Sequence, residues 1–166
     1  MILGMPVYTF IHVAISLVGI GSGLIVLYGL LTSKRLEAWT FLFLATTVAT
    51  SLTGFGFPFH GFTPAIGVGV LSMIALLAAI AGRYIFQMAG AWRSIYVIGA
   101  VVALYFNVFV LIVQAFAKIA ALRALAPAQS DPPFVIAQAV TLLLFVIAGI
   151  ASLRGFHPSI GVKAAA

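Results

Sequence analysis

Two of the three histidines in this chain are its best candidates for ligand binding. His12 lies inside the first long apolar run, and His60 lies in the stretch GFGFPFHGFTP between the second and third runs. If the runs form antiparallel helices, both imidazoles reach the same side of the bundle. Membrane b-type cytochromes hold haem through histidines on neighbouring helices, so the pair predicts a haem b or quinone site. The simpler alternative is an interfacial, hydrogen-bonded His60, because this residue follows a proline in a glycine-rich turn.

Five further polar residues are predicted to form a pocket on the side of His12. They are Asn107, Gln114 and Lys118 in the fourth run, Asp131 in the loop before the fifth run and Gln138 in the fifth run. Spacings of seven and four residues place the first three on one stripe of a helix. An unpaired amide is costly in lipid, so Asn107, near the middle of the membrane, should face the interior of the bundle. The alternative is that Asn107 and Gln138 only join helices by hydrogen bonds.

Enzymatic chemistry is less well supported. His60 and Asp131 could form an acid–base pair, and His12, His60 and Asp131 could bind a divalent metal, but no nucleophile accompanies them. We therefore assign no catalytic residue and no metal ligand, and we favour a protein without enzymatic activity. The chain has no cysteine, which excludes disulfides, iron–sulfur clusters and thiolate zinc sites. Both carboxylates, Glu37 and Asp131, lie outside the apolar runs, which argues against a carboxylate-based ion pump.

The composition predicts the elements that must position these residues. The chain has 166 residues, is 64% hydrophobic and 6% charged, and has a mean hydropathy of +1.30. A soluble domain of this composition lacks the polar residues to cover its surface, so lipid is the expected solvent. We predict an all-α integral membrane protein with one domain, residues 1–166, and a retained first helix rather than a cleaved signal peptide.

Five apolar runs are long enough to cross a bilayer, which takes about 20 residues. They cover residues 7–31, 38–57, 64–88, 94–118 and 133–153. The fourth run continues to about residue 125, which is too long for one perpendicular span. Its tail is predicted to be a helical extension that leaves the bilayer or lies along the headgroups.

The basic residues predict the orientation of the five helices. The side of the membrane on which the amino terminus lies is called side A, and the other is called side B. Side A receives Lys118 and Arg123, whereas side B receives the other six basic residues, Lys34, Arg35, Arg83, Arg93, Arg154 and Lys163. This excess makes side B cytoplasmic and side A periplasmic, and it explains the net charge of +6 without nucleic-acid binding. Arg83 lies inside a run and is expected to snorkel to the interface.

Small residues on three of the runs predict close helix packing. They comprise Ser16, Gly19 and Gly23 in the first run, Thr46, Thr50 and Thr53 in the second, and Ser72, Ala75, Ala79 and Gly82 in the third. Such stripes let helices approach closely within lipid. They also predict association with a second copy of the chain or with another membrane protein.

Several segments carry a resemblance to a known group of proteins. These segments are GFGFPF, TPAIGVGVLS, AGRY, GAWRSIY, ALYFNVFVLIVQAF and LAPAQSDPPF, which together cover most of residues 50–138. The chain resembles a family of bacterial five-helix inner-membrane proteins that has no assigned role. The resemblance implies a location in the bacterial inner membrane and no particular activity.

These observations predict a non-enzymatic channel, transporter or accessory membrane subunit with a polar pocket at its periplasmic end. A haem- or quinone-binding electron-transfer subunit using His12 and His60 is the alternative. In that case Asn107, Gln114 or Gln138 would orient the ligand.

Overall fold

The computed structural model describes residues 6–57 and 64–158, which form helices and connecting turns without any strand. The helices are α1 (Val7–Leu31), α2 (Glu37–Phe55), α3 (Pro64–Ile80, continued by a π-helical turn, Ala81–Ile85), α4 (Trp92–Lys118), α5 (Ala120–Leu125) and α6 (Pro132–Gly155). Within this part of the chain, five helices are long and apolar enough to cross a membrane: α1, α2, α3 with its π-helical turn, α4 and α6. The prediction of an all-helical protein with five such helices is confirmed.

The connection between α1 and α2 is short and tightly turned. Ser33 and Leu36 adopt positive φ angles of 59° and 37°. The turn brings the backbone of α1 against the loop, since a Cβ on Gly29 would lie 2.9 Å from the carbonyl oxygen of Lys34. Glu37 opens α2, where a carboxylate is favoured by the dipole of the helix.

The end of α3 departs from regular α-helix. Residues Ala81–Ile85 form a π-helical turn, and the amides of Phe86 and Met88 bond back to the carbonyls of Ala81 and Gly82. Gln87 and Met88 then adopt positive φ angles of 46° and 60°. This compact turn places α4 directly beside α3.

The apolar tail of α4 forms a separate helix rather than a continuous extension. Ile119 has an extended backbone, with φ −84° and ψ 116°, and it ends α4. The six residues of α5 follow, and α6 begins after Asp131 with a proline in its first turn, a favoured position for this residue. The break at Ile119 creates a corner between α4, α5 and the start of α6.

The long helices run antiparallel, with α4 at the centre of the bundle. Tyr8 on α1 bonds the Thr53 carbonyl on α2, and both lie on side A. At side B, Arg93 at the start of α4 bonds the backbone carbonyl of Phe156, just after α6. The core includes Leu76, Ala79, Val97, Ala103 and Leu104, all at most 1% exposed. α4 therefore carries much of the buried surface.

α6 lies at the edge of the bundle, where it packs on α4 and α1. Its outer face is strongly apolar. The large exposed side chains on this helix are Val135, Ile136, Val140, Leu142, Leu143, Leu144, Val146, Ile147 and Ile150. An apolar surface of this kind suits lipid or another membrane helix.

Candidate functional site

Arg83, in the π-helical turn, is a buried charge, and the sequence had predicted a different position for its side chain. We expected it to snorkel to the interface, and this expectation is wrong, because the residue is only 3% exposed. Its guanidinium donates to the Glu37 carboxylate at 2.6 Å and to the Arg35 carbonyl at 3.1 Å. The guanidinium carbon also lies 5.2 Å from the centre of the Tyr96 ring.

The contacts of Arg83 hold four segments together at side B. One guanidinium nitrogen lies 3.3 Å from the sulfur of Met88, in the turn between α3 and α4. Together with the contacts to Glu37 at the start of α2 and to Tyr96 of α4, this links the π-helical turn to three other segments. Glu37 bridges two cations, since it also lies 3.0 Å from Arg35. A buried arginine needs such partners because an uncompensated charge in the interior is costly. Glu37 is the single acidic residue predicted for side B, and this could have revealed the pair in the sequence.

His12 on α1 is held by a hydrogen bond to α2. Its Nδ1 lies 2.8 Å from the Thr53 hydroxyl oxygen, and the tautomer of the imidazole decides which of the two groups donates. The Thr53 hydroxyl also lies 2.7 Å from the carbonyl oxygen of Ala49, so its one hydrogen has more than one acceptor within reach. The Phe57 ring packs edge-on against the imidazole, with ring centres 5.1 Å apart. In the tautomer in which Nδ1–H donates to Thr53, Nε2 carries the lone pair with which histidines bind metals.

The proposed partner of this histidine, His60, lies outside the described residues. Within residues 6–57 and 64–158, no three His, Asp or Glu side chains cluster closely enough to bind a metal ion. The haem, quinone and metal hypotheses for His12 and His60 therefore stay predictions.

Asn107 joins α4 to α2 in the interior. Its amide donates to the Thr47 hydroxyl at 3.2 Å, and Thr47 is fully buried. Gly19 of α1 completes the contact, since a Cβ there would lie 3.3 Å from the Thr47 hydroxyl and 3.6 Å from the Asn107 amide nitrogen. Three helices thus meet around one polar pair, an arrangement that suits interhelical stabilisation.

Gln138 bonds in a different place, between α6 and α4. Its amide donates to the backbone carbonyl of Phe109 at 3.2 Å, while its own carbonyl oxygen is buried without a hydrogen bond. Gln114 and Lys118, further along α4, are exposed. The structure thus brings these groups to one side, but Asn107 and Gln138 contact separate partners.

Asp131 organises the loop that precedes α6. Its carboxylate accepts the backbone N–H of Ala128 at 2.7 Å and so closes a tight turn. Beside this loop, a cavity of about 240 Å³ opens between α4, α5 and the start of α6. Its lining consists of Val113, Phe116, Ala117, Arg123, Ala126, Pro127, Ala128, Gln129 and Phe134. None of the five residues predicted for a polar pocket is among them, and sequence reasoning missed this cavity because it depends on the break at Ile119.

Comparison with known proteins finds no match to this chain among family models, curated proteins or solved structures.

Proposed function

We propose that this chain is a multi-pass protein of the bacterial inner membrane that serves as a non-enzymatic accessory subunit in a larger membrane assembly. Five long apolar helices support membrane insertion. The excess of basic residues at side B supports a periplasmic amino terminus and a cytoplasmic carboxyl terminus. The bacterial inner membrane as the location is carried over from the sequence prediction.

The observation that carries this proposal is the filled interior of the bundle. Leu76, Val97 and Leu104 pack between the helices with at most 1% exposure. Towards side A, a hydrogen bond from Asn107 to Thr47 joins α4 to α2. Towards side B, Arg83 is neutralised by Glu37. A filled interior leaves little room for a solute to pass through one protomer, so it favours a role in which the outer surfaces bind a partner protein.

Flux through proteoliposomes is the direct test of this proposal. Purified protein would be reconstituted at several protein-to-lipid ratios and assayed for release of potassium, protons and small anions against protein-free liposomes. We expect release at the background rate. Release that rises with protein content and disappears in the Asn107→Leu variant, at unchanged protein incorporation, would instead identify a channel or transporter.

The size of the native complex tests the accessory role. Membranes would be extracted in a mild detergent, and the mass of the protein part of the complex would be measured by light scattering. We expect a mass well above the 17.4 kDa of one chain, owing to a partner membrane protein or further copies. A protein mass of one chain from native membranes would contradict the proposal.

An electron-transfer subunit is the second candidate, and the orientation of His12 favours it. The bond to Thr53 orients the ring, and the tautomer in which Nδ1–H donates leaves Nε2 as the ligating atom, which is the usual arrangement for a haem-binding histidine. A visible spectrum of protein expressed with adequate haem, recorded before and after dithionite, tests this. A Soret band with sharp reduced α and β bands, lost in His12→Ala, would support the candidate, and a colourless preparation without extractable quinone would reject it.

A further inference from the structure

We propose that the cavity between α4, α5 and α6 binds the phosphate-bearing headgroup of an anionic phospholipid. This inference rests on the membrane insertion proposed above, but it does not depend on the choice between an accessory subunit and a channel. It concerns a site made from the α4–α5 corner and the loop before α6.

The inner wall of the cavity is apolar and well packed. Phe116 of α4 and Phe134 of α6 meet edge-to-face, with ring centres 5.4 Å apart. Phe134 and Ala126 are buried, at 8% and 4% exposure. Val113 lines the same wall from α4. This surface offers favourable contact to glycerol and to the first carbons of acyl chains.

The rim of the cavity carries an uncompensated positive charge. Arg123 of α5 lines the cavity, is exposed, and takes part in no ion pair within the described part of the chain. The Asp131 carboxylate, the acidic group closest in sequence, is instead bonded to the Ala128 amide. Arginine binds phosphate with paired, charge-assisted hydrogen bonds. Gln129 adds an amide to the same rim.

The position and size of the cavity favour a lipid over a free ligand. The cavity lies where α4 ends at Lys118 and α6 begins at Pro132, which is the level of the headgroups for two spanning helices. Its volume of about 240 Å³ is below the roughly 300–1,000 Å³ of pockets that enclose whole drug-sized ligands. A ligand that only inserts its headgroup fits this size. Its acyl chains can then lie on the exposed aliphatic side chains of α6, such as Val135 and Ile136.

Native mass spectrometry of the detergent-purified protein tests the proposal. The protein would be titrated with phosphatidylglycerol or with phosphatidylcholine of the same acyl chains. We expect saturable binding of phosphatidylglycerol, which Arg123→Gln weakens about tenfold because one charge-assisted contact is lost. Lys118→Gln is the matched control, since Lys118 is an exposed cation at the same end but outside the cavity lining. It should change the affinity by less than about twofold, whereas long-range attraction alone would make the two variants equivalent.

Two further variants separate loss of the site from loss of the fold. Arg123→Lys keeps the charge and should retain most of the binding. Ala117→Trp places a large ring in the cavity from an exposed position and should abolish binding while leaving thermal unfolding unchanged. Equal weakening by Arg123→Gln and Lys118→Gln, or full binding by Ala117→Trp, would overturn the proposal.

A competition experiment distinguishes a lipid from a free anion. Inorganic phosphate at tenfold excess over phosphatidylglycerol should leave the lipid bound. Displacement by equimolar phosphate would assign the cavity to a free anion and overturn the lipid proposal. Extraction of membranes with alkaline carbonate tests insertion separately, so a failure of lipid binding is distinguishable from a failure of the membrane assignment.

Discussion

Many polar side chains within the helices bond either to a neighbouring helix or to their own backbone, whereas the buried hydroxyls of Thr50, Ser72 and Ser152 have no hydrogen-bond partner among the described residues. Hydroxyls of the second kind include Ser16, Ser22, Thr46, Thr53 and Thr141, each of which donates to a carbonyl four residues earlier. The amide and guanidinium groups reach further, as Asn107 does to Thr47 and Arg83 does to Glu37. These longer bonds fix how the helices are rotated relative to one another.

The Arg83–Glu37 pair gives a prediction about stability. Glu37→Gln should lower the free energy of unfolding by about 1 kcal/mol, because it leaves the buried guanidinium without its countercharge while Glu37 itself is largely exposed. In an Arg83→Met background the same change should cost less than about 0.5 kcal/mol. Thermal unfolding in detergent, followed by the fluorescence of the two tryptophans, Trp39 and Trp92, measures both values.

Arg154→Gln is the control for this cycle, since Arg154 is exposed at the same side and outside any ion pair within the described ranges. Its effect should stay within about 0.5 kcal/mol. Equal losses from Glu37→Gln in both backgrounds would show that Glu37 acts independently of Arg83.

The sequence was sufficient to locate the polar residues, but not to identify the partners of the amides. That Asn107 needs a partner follows from the cost of an amide in lipid. Its choice of Thr47, rather than Gln114 or Gln138, depends on how α4 crosses α2, and a single sequence does not specify this angle. For the same reason, the burial of Arg83 could not be inferred from its distance to the end of α3.

Glycines set how closely the helices approach one another. At Gly99 the backbones of α4 and α3 are in direct contact, since a Cβ there would lie 2.6 Å from the carbonyl oxygen of Ala75 and 2.9 Å from the amide nitrogen of Ala79. Gly21, on α1, faces open space, since a Cβ added there would have no contact within 4 Å. These two positions provide a matched pair.

Gly99→Ala should therefore destabilise the protein where Gly21→Ala does not. The added methyl at Gly99 meets backbone that cannot rotate away, so α3 and α4 must separate at a cost of about 1–3 kcal/mol. Gly21→Ala should leave stability unchanged or raise it by up to about 1 kcal/mol through helix propensity. Thermal unfolding of both variants in the same detergent measures the difference, and similar values would contradict this description of the α3–α4 contact.

The lengths of the helices were more predictable than their interruptions. Long apolar runs bounded by charges, prolines and glycines define the five helices, and α1 occupies the predicted residues 7–31. The break at Ile119 has no such signal, because the residues on both sides are apolar or basic helix formers. The resulting corner forms the cavity proposed to bind lipid, so this feature of side A was hidden from the sequence.

For the whole molecule, the uneven charge of the two ends is the property from which the orientation is predicted. The sequence predicts six basic residues at side B, of which Lys163 lies outside the described residues, and two at side A. Burial of Arg83 against Glu37 removes one of the six from direct contact with the surface. The remaining asymmetry still favours a cytoplasmic side B.

Cysteine labelling tests this orientation cleanly, because the chain contains no cysteine and each introduced thiol is the only one. Gln129→Cys at side A and Thr32→Cys at side B both replace exposed residues without changing the charge. In intact spheroplasts a membrane-impermeant maleimide should modify the Gln129→Cys variant, whereas the Thr32→Cys variant should react only after permeabilisation. The opposite pattern would place the amino terminus in the cytoplasm. Since Gln129 lies on the rim of the cavity, the result also determines which leaflet supplies the proposed phospholipid.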